Sequence, residues 1–86
     1  MTDLSGLSDE ALAVFAFAAY HELSSGQRVR SVVQKDDTAH RASDTAVDEL
    51  DGRGLVKADG REIVFTQAGE EALQGIIAAL RSVRNA

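Results

Sequence analysis

The sequence contains no cysteine, which excludes disulfides and thiolate-bound zinc and fits a reducing, cytoplasmic setting. It also lacks a long apolar run. The richest stretch, Ala11 to Tyr20, is alanine-heavy and about half the ~20 residues of a membrane-spanning helix, so no membrane partner is expected. The opening Met1-Thr2-Asp3-Leu4 has no basic region ahead of an apolar one, the expectation for a chain without a signal peptide. There is no repeat, linker or low-complexity segment. No nucleophile motif, phosphate loop or paired-histidine metal motif occurs. Asp36, Asp37 and His40 are the one local cluster of metal-ligand residue types. It lacks the further ligands and supporting shell of a committed site and reads as capping aspartates beside a surface histidine. Neither a cofactor nor an enzymatic activity is expected.

Basic residues are also in short supply. Nine lysines and arginines face 14 acids, for a net charge of −5. The balance disfavours non-specific attraction to nucleic acid or anionic lipid. Its distribution is uneven. Residues 1–26 hold Asp3, Asp9, Glu10 and Glu22 and no base, whereas Arg28, Arg30 and Lys35 form a positive cluster. Residues 36–54 return to acid, with Arg41 and Arg53 the only bases, and the remainder balances.

At 86 residues the chain has room for a single domain, 1–86, with one modest core. Ser8-Asp9-Glu10 opens a first helix with a capping hydroxyl and two acids at the positive dipole end, and Ser24-Ser25-Gly26 stops it near Leu23. A helical wheel places Leu12, Phe15, Ala16, Ala19 and Leu23 on one face, the expected core side. The opposite face holds Val14, Phe17, Ala18 and His21. A helix apolar nearly all round is usually covered on both sides, so a partner or homodimer surface is expected around Val14, Phe17 and His21.

Gln27 to Lys35 fits two patterns. Val29, Ser31 and Val33 alternate with their neighbours as in a strand, while Val29, Val32 and Val33 also have helical spacing. The β-branched content and preceding glycine favour the strand, as third member of a small sheet. A second helix follows, starting either at Asp36-Asp37-Thr38 or after Ser43. Ala39, Ala42, Ala46 and Leu50 line one side with Val47 at its margin. Arg41, Asp44, Thr45, Asp48 and Asp51 point the other way. Gly52 or Gly54 supplies the left-handed cap.

Leu55 to Ala58 reads as a strand, Asp59-Gly60 as a hairpin turn, and Arg61 to Phe65 as the return strand. Leu55, Ile63 and Phe65 are expected in the core, with Val64 on the other face. Thr66 caps a last helix whose Leu73, Ile76, Ile77, Leu80 and Val83 form a broad apolar face. Ile77 and Leu80 extend the expected partner surface. Gly69 and Gly75 each weaken this helix by about 1 kcal/mol relative to alanine. They read as tolerated on a packed helix, with close approach of another helix as the alternative.

The run Ala46-Val47-Asp48-Glu49-Leu50-Asp51-Gly52-Arg53-Gly54-Leu55-Val56, then Asp59-Gly60-Arg61, then Val64-Phe65-Thr66-Gln67-Ala68-Gly69, resembles the second half of a MarR-type winged-helix regulator. The resemblance covers roughly Thr38 to Leu73. It implies a recognition helix ending in a glycine-leucine step, a wing hairpin, and a threonine-x-x-glycine step into the next helix. It also implies dimerisation through terminal helices and binding to palindromic DNA, by analogy. Two departures stand beside it. No two-helix turn signature precedes Thr38, and the helix that would enter the major groove turns Asp44, Asp48 and Asp51 outward, where phosphates would repel them.

The expected fold is therefore α+β and winged-helix-like, with three main helices, a small antiparallel sheet and a wing hairpin. Two functions follow. The first is a non-enzymatic module acting through protein–protein contacts, with itself as a homodimer or with another protein. The second is a DNA-binding transcriptional regulator, whose phosphate contacts would come from Arg28, Arg30, Lys35, Arg41, Arg53, Lys57 and Arg61.

Overall fold

The computed structural model describes residues 5–33, 44–59 and 62–84. The elements run α1 (Asp9–Ser25), β1 (Ser31–Val33), α2 (Asp44–Gly52), β2 (Val56–Asp59), β3 (Glu62–Phe65) and α3 (Gln67–Arg84). Three helices and a three-stranded antiparallel sheet, ordered β1-β3-β2, make an α+β fold with a winged-helix-like arrangement. Of the valine-rich segment after Gly26, Ser31–Val33 is a strand, the third of the sheet, lying along β3 on the side opposite β2, while residues 27–30, Val29 among them, are not in it. His40, Arg41, Lys35 and the Asp36-Asp37-Thr38 start lie outside the described residues, as does Ser43; the second helix is described from Asp44.

Each helix end is set by a local device. Ser8 caps α1, its hydroxyl oxygen accepting from the Ala11 amide at 3.2 Å. Gly26 ends α1 in the left-handed region at φ 75°, its amide donating to the Glu22 carbonyl. At the end of α2 the left-handed residue is Gly54, at φ 74°, and not Gly52. The Gly54 amide donates to the Asp51 carbonyl and the Leu55 amide to that of Leu50. This is the paired closure of a Schellman motif, and both of its hydrophobic partners, Leu50 and Leu55, are buried. Thr66 caps α3 as expected: its oxygen accepts from the Gly69 amide at 3.1 Å and donates to the Gly54 carbonyl at 2.6 Å. One threonine therefore ties the start of α3 to the turn that ends α2.

The core gathers Phe15 of α1, Leu50 of α2, Leu55, Val56, Ile63 and Phe65 of the sheet region, and Leu73 and Ile77 of α3. The rings of Phe15 and Phe65 stack with centroids 5.5 Å apart. Ile63 and Phe65 face inward as their alternation predicts, with Val64 half-buried on the other face; Leu55 is buried as expected, but ahead of β2 and beside the equally buried Val56. The hairpin closes on the Asp59–Glu62 pair, one residue later than an Asp59-Gly60 turn would place it; residues 60–61 are outside the described set.

Helix α1 is rotated from its predicted orientation. Its buried residues are Ala11, Val14, Phe15, Ala18, Ala19 and Glu22, whereas Leu12 and Leu23 are 40% and 43% exposed and Ala16 faces solvent. An alanine-rich helix that is apolar on most sides supplies no dominant direction, so the wheel alone could not choose. The face that turned inward carries alanines at 11, 18 and 19, which let the helix approach its neighbours closely around the single large side chain of Phe15.

Candidate interaction surface

Two polar ties fix the helices around the core, and neither was read from the sequence. The first centres on Glu22, 8% exposed on the inward side of α1. Its carboxylate accepts from the Val29 amide at 3.1 Å and from the Gln74 side-chain amide at 3.0 Å. It joins α1 to the approach to β1 and to α3. The second centres on Glu49 of α2, which accepts from the Ser8 amide at 2.8 Å and the Ser8 hydroxyl at 2.7 Å. The Ser8 hydrogen bonds, first that of the hydroxyl and then that of the amide, hold the Glu49 carboxyl below its ordinary pKa, aided by the nearby Arg53 guanidinium and opposed by desolvation. Arg53 itself donates to the Ser5 carbonyl at 3.1 Å. Long sequence separation hides such pairs: Ser8 and Glu49 are 41 positions apart.

Among the expected partner-surface residues, Val14 and Ile77 are corrected: both lie in the core, 4% and 0% exposed, and are not available to a partner. Val14 turned inward with the rotation of α1. Ile77 is held under the helix by the same packing that buries Leu73. Phe17 is half-buried, packed against the core edge, with its ring edge-on to His21 at 4.4 Å. His21 is exposed, and Tyr20, 64% exposed, lies 5.4 Å from it. Leu80 is 48% exposed and Val83 74%. The apolar face of α3 therefore runs past the edge of the core in its last turns.

Of the residues expected to meet phosphates, Lys35, Arg41 and Arg61 fall outside the described residues. Arg28 and Lys57 are exposed. Arg30 is exposed but lies 3.8 Å from the Glu70 carboxylate, and Arg53 is engaged with Ser5. Against them, Asp44, Asp48 and Asp51 are all exposed on α2. On the outward face of the wing, Lys57 is followed by Asp59, and Asp59 pairs directly with Glu62, so like charges sit opposite each other there.

The outward face of α1 has a different character. Between Ala11 and Leu23 the one charged residue is Glu22, and it is turned inside. What faces solvent is Leu12, Ala13, Ala16, Tyr20, His21 and Leu23, about three turns of helix without a charge. This is the longest uncharged stretch of helix surface on α1. Asp9 and Glu10 border it at one end and Ser24 and Ser25 at the other.

Among the described residues there is no group of three or more His, Cys, Asp or Glu placed to hold a metal ion, and no helix is long and apolar enough to cross a membrane. No buried side-chain nitrogen or oxygen among them lacks a hydrogen-bond partner. No family model, curated protein or solved structure matches the chain.

Proposed function

We propose that this protein is a small non-enzymatic, winged-helix-like module that acts through protein–protein contacts, with the outward face of α1 as its contact surface. The observation that carries this reading is the uncharged face from Leu12 to Leu23, in a chain of which 27% is charged. Aromatic residues with a polar edge, such as Tyr20 and His21, suit contact surfaces because they bury large areas at low conformational cost. A regulatory role exerted through such contacts in the cytoplasm is part of the same proposal.

The second reading is a DNA-binding transcriptional regulator of the MarR-like type. It is favoured by the helix, cap, hairpin and helix order of α2, β2, β3 and α3 and by the exposure of Arg28 and Lys57. The exposed Asp44, Asp48 and Asp51 on α2 weigh against it, because each would face phosphate repulsion in a groove. Titration of the ¹⁵N-labelled protein with duplex DNA at low salt separates the two. The interaction module gives no amide shifts. Shifts centred on α2 and the wing that vanish as salt is raised would establish the regulator instead.

A further inference from the structure

Resting on the reading of the outward face of α1 as a contact surface, we infer that the contact is gated by a proton on His21. Apolar groups cover the face while the imidazole is neutral and are released when it is charged. The face is free of charge only on that condition. From Ala11 to Leu23 the titratable side chains are Tyr20, His21 and Glu22. Glu22 is turned inward, where the Val29 amide and the Gln74 side chain hold its carboxylate. Tyr20 carries a phenol, and phenols ordinarily ionise only at about pH 10. Histidine is the side-chain type whose charge ordinarily changes between roughly pH 5 and 8. His21 is therefore the one group that can put a charge on this face near neutral pH.

The surroundings of His21 make that charge costly to cover. Its ring is exposed, and its neighbours are the Phe17 ring at 4.4 Å and the Tyr20 ring at 5.4 Å. No ion pair joins it to any of the described residues. The elements packed against α1 bring it no carboxylate in contact. Helix α3 presents Gln74, which is neutral and bound to Glu22. The approach to β1 presents the Val29 amide and the exposed Arg28, which has the sign of an imidazolium. Helix α2 presents Glu49 to Ser8, about 20 Å along α1 from His21. A neutral imidazole is an amphipathic ring that an apolar partner covers at modest cost. An imidazolium loses its hydration when covered, and with no carboxylate to replace that water the cost is far larger. The contact therefore closes above the histidine range and opens below it.

Retention on a neutral phenyl-substituted resin in high salt reads how well an apolar surface covers the face. At about 1 M ionic strength the screening length is roughly 3 Å, so distant charges act weakly while the local loss of hydration remains. The retention factor of wild type should fall by about threefold or more between pH 8 and pH 5.5. His21→Gln should keep the pH 8 retention at both values. His21→Arg, charged throughout, should show the low retention at both. The other histidine, His40, is present in every variant, so a difference between them belongs to His21. Identical pH profiles for wild type and His21→Gln would overturn the gate, and so would His21→Arg retained like wild type at pH 8. Ala16→Glu, at an exposed position on the same face, tests the surface itself. It should keep the wild-type thermal melt and lower retention at both pH values. If it is retained like wild type at pH 8, the contact-surface reading falls and the gate with it. If it is retained less while the histidine variants show no pH effect, the gate alone is overturned and the contact surface stands.

Discussion

At Gly69 the backbone of α3 lies hard against the entry to β2. A Cβ built there would overlap the carbonyl oxygen of Leu55 and lie 3.0 Å from its carbonyl carbon and 3.2 Å from the Phe65 ring. The obstacle is mostly backbone, fixed by the Thr66 amide that donates to that same carbonyl at 3.0 Å, so it has little room to yield. Neither sequence reading of Gly69 holds. It is not merely tolerated, and the close neighbour is the strand entry and not another helix. Gly69→Ala should lower stability by about 1–3 kcal/mol through overpacking. Gly75, exposed and with nothing within 4 Å of a Cβ, is the tolerated one. Gly75→Ala should raise stability by up to about 1 kcal/mol, the helix-propensity difference. Urea denaturation of both variants checks the pair. Equal effects of the same sign would contradict this account.

At the scale of elements, α1 and α2 are linked by a charged tie between residues 41 positions apart. Glu49 accepts both the amide and the hydroxyl of Ser8, so the carboxylate of one helix completes the N-terminal cap of the other. Folding lowers the Glu49 pKa from its ordinary 4.5. The unfolded chain therefore takes up the proton first as pH falls. The contact stabilises the fold fully above pH 4.5, and that contribution is lost as pH drops through the lower folded value. In Glu49→Gln this part of the acid sensitivity should disappear: the difference in thermal midpoint from wild type is expected to be present at pH 7 and to shrink toward pH 3. A difference that grows on acidification has the wrong sign for this tie. The Glu22 tie differs in kind, since it satisfies a backbone amide and the Gln74 amide inside the molecule rather than at a helix end. It explains why an acid stands on the inward side of a helix whose other buried residues are apolar.

For the whole molecule, one small core bears most of the stability. A domain of 86 residues is expected to have roughly 4–13 kcal/mol in total. Phe15 is fully buried and stacks on Phe65, connecting α1 to the sheet. Phe15→Ala should cost about 3–5 kcal/mol, a large share of that total. The urea midpoint should fall sharply with the slope of the transition unchanged. A loss under 1 kcal/mol would mean that α1 packs on the sheet less tightly than the Phe15–Phe65 stack indicates.

Elements with a local signal were legible before any coordinates. Ser8 and Thr66 as caps, the glycine stop after α2, the alternation of Ile63 and Phe65, and the strand character of Ser31 to Val33 all follow from the reach of a side chain to its own neighbouring backbone, or from a period of two. These interactions span a few residues, so composition and order determine them, and through them the α+β, winged-helix-like layout. The direction in which α1 faces, the backbone contact that requires Gly69, and the partners of Glu22 and Glu49 were decided only when distant segments met. An alanine-rich helix carries almost no orientational information of its own. Its rotation was settled by which side could come closest to Phe65 and Leu73 while giving Glu22 two donors. That same rotation placed Val14 out of reach and left Leu12, Tyr20 and Leu23 at the surface.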